Sequence, residues 1–284
     1  MNFNNILVAT DFDNESHTAL EAAVSLASND STCIHILHIL DTSYLSFFKG
    51  STISTTSLKE LENTEAYAKF TASLKEASIE YLTELKKQYS DTNIITHTVS
   101  GRPLNAIKQI VEKHKVDLII TSADPNEQEG KHLQHLIRHI HVPILTVNTP
   151  LSDFYPKQIV FASDFEQKPA PHILEMISKW RNQYQAQLNL LKVITPATFE
   201  NTPDTNATIT RYISGNDLEE GDFHIFNAFS EEDGIISFAN NINADLIIMV
   251  SHPHSRFYHF IVGSLAEHIA NEADTPVLIL FEKP

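Results

Sequence analysis

The chain of 284 residues is poor in three things: cysteine, basic charge and long apolar runs. Its one cysteine, Cys33, cannot close an internal disulfide, and its setting, TCIHILHIL, reads as a buried strand in which the thiol is inert core. No apolar stretch approaches the ~20 residues that a membrane span requires. Lys and Arg number 20 against 36 Asp and Glu, so the net charge is −16 and the pI near 5.3. That balance argues against nucleic acid, whose binding needs clustered cations to displace counterions, and equally against anionic membrane surfaces. The opening residues MNFNNILVATDF carry no basic segment and run straight into a strand-like stretch, so no export signal is expected and a cytoplasmic protein is. Catalytic signatures are missing too. GRPLNAIKQ lacks the G-K-S/T of a phosphate loop, and there is no G-x-S-x-G, H-E-x-x-H or C-x-x-C. No catalytic residue is assigned and no enzymatic activity is expected.

What the chain does have is internal repetition. NILVATDF from Asn5 reappears as QIVFASDF from Gln158, and HILHILDT from His35 as NLLKVITP from Asn189. KVDLIITS from Lys115 reappears as NADLIIMVS from Asn243, and VPILTV from Val142 as TPVLIL from Thr275. Asp11 and Asp164 stand 153 residues apart but Pro143 and Pro276 only 133, so the copies differ by deletions between the strands. The expected organisation is two tandem α/β domains, 1–149 and 150–284, joined through the Pro-containing polar stretch 148–156.

Continuous apolar runs such as DLIIT and PILTV fit strands covered on both faces, hence a parallel sheet. Helical period marks 17–28, the stretch from His172, and a long run from Ser57 to about Gln88. Along that run Leu58, Leu61, Phe70, Leu74, Tyr81 and Leu85 share a stripe. The corresponding segment of repeat 2, TPDTNATITRYIS, has Pro203 in a first helical turn and Gly215 as a stop, although Thr and Ile suit a strand equally well.

Taken together, the strand ending in ATDF, the DLII strand, the GS-opened helix and the closing P-V/I-L strand resemble the universal stress protein family, in two tandem copies. The resemblance implies two five-stranded parallel sheets of order 3-2-1-4-5, of the adenine nucleotide alpha hydrolase-like type. It also implies a pseudo-two-fold relation through the final strands, PILTV against PVLIL, making an intramolecular pseudo-dimer. Pairing is physically expected as well, because an exposed edge of that composition invites aggregation. Further homo-oligomerisation and the identity of a protein partner are left open.

In ATP-binding members the Asp after strand 1 holds the adenosine end. A loop of pattern G-x-x-G, nine residues, then G-S or G-T wraps the phosphates at the mouth of the last helix. The nucleotide-binding set carried over to repeat 2 is Ala162, Ser163, Asp164, Val193, Ser251, His252, Gly263, Ser264 and Leu265. The nine-residue spacing from Pro253 to Gly263 is kept, but Val250 and Pro253 replace the leading glycines, and Pro253 has no N–H to donate. In repeat 1 the loop is five residues shorter and places Asp124, Glu127 and Glu129 where phosphates would sit, before Gly130-Lys131. At most one adenine-nucleotide (ATP-like) site, in repeat 2, is therefore expected. Asp11 and Asp164 also have a plainer reading as caps of the helices that follow them.

Fifteen histidines is a high count. His132, His135 and His139 share one helix face opposite the apolar Leu133, Leu136, Ile137 and Ile140, which reads as a solvated stripe. His252, His254 and His259 lie in the altered loop without a cysteine to complete a ligand set, and no metal centre is assigned. Two functions compete: a stress-response regulator binding an adenine nucleotide through repeat 2, and a nucleotide-free tandem acting as a protein-interaction scaffold. Another small ligand or a metal in the altered repeat 2 cleft is the third reading.

Overall fold

The computed structural model describes residues 3–27, 32–40, 65–122, 131–151, 154–166, 168–198, 202–214, 218, 221–251 and 264–282. Two compact units divide between Asp117 and Leu118, inside repeat 1, so the units and the sequence repeats are different partitions of the chain.

The first unit runs β1 (Asn5–Thr10), α1 (Asn14–Leu26), β2 (Cys33–Leu40), α2 (Glu65–Gln88), β3 (Ile94–Ser100) and α3 (Pro103–His114). Its strands are parallel in the order β3-β2-β1. Ile6, Leu7, Val8, Ile34, Ile36 and Leu37 are fully buried, as continuous apolar strands covered on both faces must be. Cys33 lies in this core as a free thiol, and burial pushes its pKa up. The expected stripe of α2 is only partly buried. Of that stripe Leu85 is buried, with Ser78 and Leu82 beside it, whereas Phe70, Leu74 and Tyr81 are exposed; Leu58 and Leu61 lie outside the described residues. Length accounts for Phe70 and Leu74: 24 residues of helix span about 36 Å at 1.5 Å per residue, against about 26 Å for the eight residues of β2. The early turns of α2 overhang the sheet.

The second unit holds β4 (Leu118–Thr121), α4 (Lys131–His139) and β5 (Ile144–Thr146), then β6 (Gln158–Ala162), α5 (Pro171–Tyr184) and β7 (Gln187–Ile194). It continues with α6 (Thr202–Ile213), β8 (Asp222–Asn227), α7 (Glu231–Asn241), β9 (Leu246–Ser251), α8 (Ser264–Glu272) and β10 (Val277–Phe281). Its strands follow the order β4-β5-β10-β9-β6-β7-β8. Read from β8, repeat 2 is 3-2-1-4-5, while repeat 1 contributes 3-2-1 in the first unit and 4-5 here. The segment 202–213 resolves as helix with Pro203 in its first turn. Gly215 lies outside the described residues.

The two final strands pair, as expected. β5 and β10 run antiparallel with Leu145 opposite Leu278, and these two residues are repeat equivalents, so a local two-fold relates the strands. That pairing leaves neither strand as an exposed edge. The polar segment after β5 is tied down by Asn148, whose side-chain amide donates to the carbonyls of Ala270 and Ala273 at 2.8 and 3.0 Å, closing the C-terminal end of α8.

The repeats share backbone detail as well. Asp117 accepts the N–H groups of Asn4 and Asn5 (2.8 and 3.0 Å), and Asp245 those of Lys157 and Gln158 (2.7 and 2.8 Å). The acid of each DLII run thus clamps the start of its own repeat's first strand with charge-assisted bonds. Left-handed residues also recur in pairs, Phe12 with Phe165 and Lys115 with Asn243.

Candidate functional site

In repeat 2 the ends of β6 and β9 lie side by side, with Ala162 paired to Met249. Ser163 and Asp164 therefore leave the sheet beside Ser251, at the point where strand order reverses and α/β folds receive ligands. The turn after β6 is tight. The Phe165 N–H donates to the Ser163 hydroxyl at 3.1 Å, and the Glu166 N–H to Asp164 Oδ1 at 3.0 Å. Left-handed Phe165 (φ 58°) drives its ring into the core against Phe161, Tyr212 and Phe223. The Asp164 side chain stays exposed at the mouth. Val193, half-buried near the end of β7, forms the adjoining wall and packs on Gly234 of α7. Ser264 opens α8 and Leu265 is buried beneath it; His252 and Gly263 lie outside the described residues.

The reading of Asp11 and Asp164 as helix caps is corrected. Helix α1 is capped by Asp13, which accepts the Ser16 N–H at 2.8 Å, and α5 has Ala170 at its N-cap position with no side-chain cap. Asp11 and Asp164 instead bond within their own turns, to the N–H groups of Asp13 (3.4 Å) and Glu166. A positive-φ phenylalanine turns the chain immediately after each, so the helix starts too far along for the carboxylate to reach its first N–H groups.

The repeat 2 mouth is acidic. Burial pushes the Glu231 carboxyl up, and the charges of Glu232 and Asp164 push it further, while Lys192 works in the opposite direction. Burial likewise raises Tyr212; the Ser163 hydroxyl opposes the shift, and Asp164 and Glu282 add to it. Glu282 also accepts the Ala170 N–H at 3.0 Å. Several carboxylates thus converge where an anionic ligand would enter.

In repeat 1 aromatic rings gather at the ends of β1 and β2. Phe12 stacks on His38 with centroids 4.2 Å apart and leans on Tyr81 at the same distance. His38 Nδ1 meets the Thr10 carbonyl at 2.8 Å. Asp124, Glu127, Glu129 and Gly130 lie outside the described residues. In α4, His135 and His139 are exposed while Leu133, Leu136, Ile137 and Ile140 are buried, as the helical spacing requires; the His132 side chain lies outside the described residues.

A second group of side chains has no counterpart among the sequence expectations. His35, His97 and His114, from β2, β3 and the end of α3, bring ring nitrogens within 4.8 Å of one another. Their centroids are 5.2, 4.6 and 4.7 Å apart. The one sequence hint was a histidine, His35, inside an apolar strand.

The sequence matches the model of the Universal stress protein family over residues 2–148 and 230–280. Among solved structures, a universal stress protein from Archaeoglobus fulgidus DSM 4304 is 17% identical with a TM-score of 0.68, covering 98% of this chain and 96% of that one. A functionally unknown protein from Pseudomonas aeruginosa PAO1 is 16% identical with a TM-score of 0.63, over 98% and 92% of the two chains. At such identities the likeness is one of fold, and it extends over both repeats. No curated protein matches the sequence. No helix among the described residues is long and apolar enough to cross a membrane. With more than half of its length matched by the family model, in segments from both repeats, the chain belongs to the universal stress protein family.

Proposed function

We propose that this stress-response protein is a non-enzymatic regulator with at most one adenine-nucleotide site, ATP-like, in repeat 2. The supporting observation is the adjacency of β6 and β9, which sets Ser163, Asp164 and Ser251 on one lip of the sheet. The exposed Asp164 carboxylate would accept hydroxyls of the adenosine end, and Gly263 with Ser264 would offer backbone N–H groups at the start of α8 to a phosphate. Glu231 and Glu232 make a dense phosphate charge costly there, so binding is weaker than a glycine-lined loop would give. The shorter repeat 1 loop with Asp124, Glu127 and Glu129 is in keeping with a single site.

A second reading, a tandem acting through protein contacts, is favoured by Phe229. Its ring is 94% exposed in the turn before α7, beside the acidic mouth. Nucleotide analysis of the denatured, purified chain, followed by equilibrium dialysis with ATP, separates the two. The expected result is at most one equivalent, abolished by Asp164→Ala and by Gly263→Asp. Two equivalents would overturn the single-site reading. No binding at millimolar ATP would leave the contact reading.

A further inference from the structure

We propose that His35, His97 and His114 form a binding site for a divalent transition-metal ion, zinc foremost, in the first unit. A tetrahedral zinc with Zn–N near 2.0–2.1 Å holds its nitrogens roughly 3.3 Å apart. His35 Nδ1 and His97 Nε2 already stand 3.0 Å apart, and the whole set fits within 4.8 Å. Closing the remaining gap takes a side-chain rotation of His114.

The surroundings prepare the rings for this role. Asn5 Oδ1 accepts from His35 Nε2 at 3.3 Å, which leaves His35 Nδ1 as the acceptor of the His97 Nε2–H; an ion would take the place of that shared proton, His97 keeping its own proton on Nδ1. The Asn5 amide donates in turn to the Lys115 carbonyl at 3.5 Å, tying the same residue to the end of α3 that carries His114. Such an outer partner is what orients metal-ligating histidines. His114 Nε2 is buried and has no hydrogen-bond partner, a cost that a metal ion would relieve. His114 also closes α3, where the exposed carbonyls of the helix end favour a cation. The set is three imidazole nitrogens without a carboxylate, which suits zinc, nickel or copper and not calcium or magnesium.

Lys113 is the charge working against a cation here, and it is exposed on the last turn of α3. His97 and His114 are half-buried, so an ion has a way in.

Repeat 2 is an internal comparison. The equivalent positions are Asn189, His224 and Ile242, and there His224 meets Asn189 Oδ1 at 3.1 Å and packs on Phe238. The fold is satisfied at this place by one histidine, so three imidazoles are not a packing requirement.

The test uses the full chain stripped with a chelator, titrated with Co2+ and then Zn2+. The expected result is one tight equivalent with the visible bands of tetrahedral Co2+, displaced by Zn2+, which also raises the urea midpoint. His97→Gln and His114→Gln should each weaken that equivalent at least about tenfold, and Asn5→Ala about tenfold by freeing the His35 ring that Asn5 orients. The double variant His135→Gln/His139→Gln should keep it. No tight equivalent in the wild-type chain would overturn the proposal. So would an equivalent unchanged in both single variants, or one lost in the surface double variant.

Discussion

Gly234 offers a quantitative check on how the repeat 2 cleft is built. A Cβ added there would stand 2.5 Å from Val193 Cγ1 and 3.0 Å from both Val193 Cγ2 and Ala228 Cβ. Valine carries both methyls on one carbon and can yield only by rotating χ1, so the clash cannot be absorbed cheaply. Overpacking of this kind costs about 1–3 kcal/mol, whereas replacing a helical glycine by alanine returns about 1 kcal/mol. Gly234→Ala should therefore destabilise repeat 2 by about 1 kcal/mol, against the trend for exposed helices. Val193→Ala alone removes half-buried methyls and should cost about 1 kcal/mol. Together they remove the Val193 clash, leaving only the milder Ala228 contact, and keep the helical gain, so the double variant should lie near the wild type. That is a coupling of about 2 kcal/mol, within the range for contacting residues. Urea unfolding followed by fluorescence is the assay. The chain has a single tryptophan, Trp180, buried in α5 of the same repeat. A Gly234→Ala chain as stable as the wild type, or additive behaviour in the cycle, would refute this account of α7 packed on β7.

Two further outcomes follow from the first unit. Asp13→Ala should cost about 1 kcal/mol by uncapping α1, while Asp11→Ala, which bonds only within its turn, should cost far less; paired urea curves measure the difference. His35 and His97 are held near 4, below their ordinary value of 6.5, so between those pH values the unfolded chain binds protons that the folded chain refuses. Stability from these two groups is complete above pH 6.5 and is lost progressively as pH falls towards 4. Urea midpoints at pH 7, 5.5 and 4.5 should fall less steeply in His97→Gln than in the wild type; equal slopes would contradict the assignment.

The tandem organisation, the strand segments and the inward face of α4 were legible in the sequence. They rest on short-range periodicity and on repetition, both written along the chain. The pairing of PILTV with PVLIL was legible for a related reason, since an apolar edge strand needs a partner. The capping error shows the limit of that resolution. Asp11 and Asp13 are two residues apart, and only the left-handed turn at Phe12 decides which of them reaches the helix. The overhang of Phe70 and Leu74 is similar, because helical period gives a face but not the length of the sheet beneath it.

The sequence by itself determined the family, the repeated α/β plan and the place of the strand ends Asp11 and Asp164. The tertiary structure alone decided what surrounds them. The charge of Asp164 acts on the Glu231 carboxyl, and Phe12 lies on His38, because helices and strands distant in the chain pack there. The three histidines make the point most plainly. His35 and His97 meet through the register of β2 with β3, and His114 joins them through the packing of α3. No local spacing encodes that meeting, since nothing in a one-dimensional pattern specifies how separate elements converge.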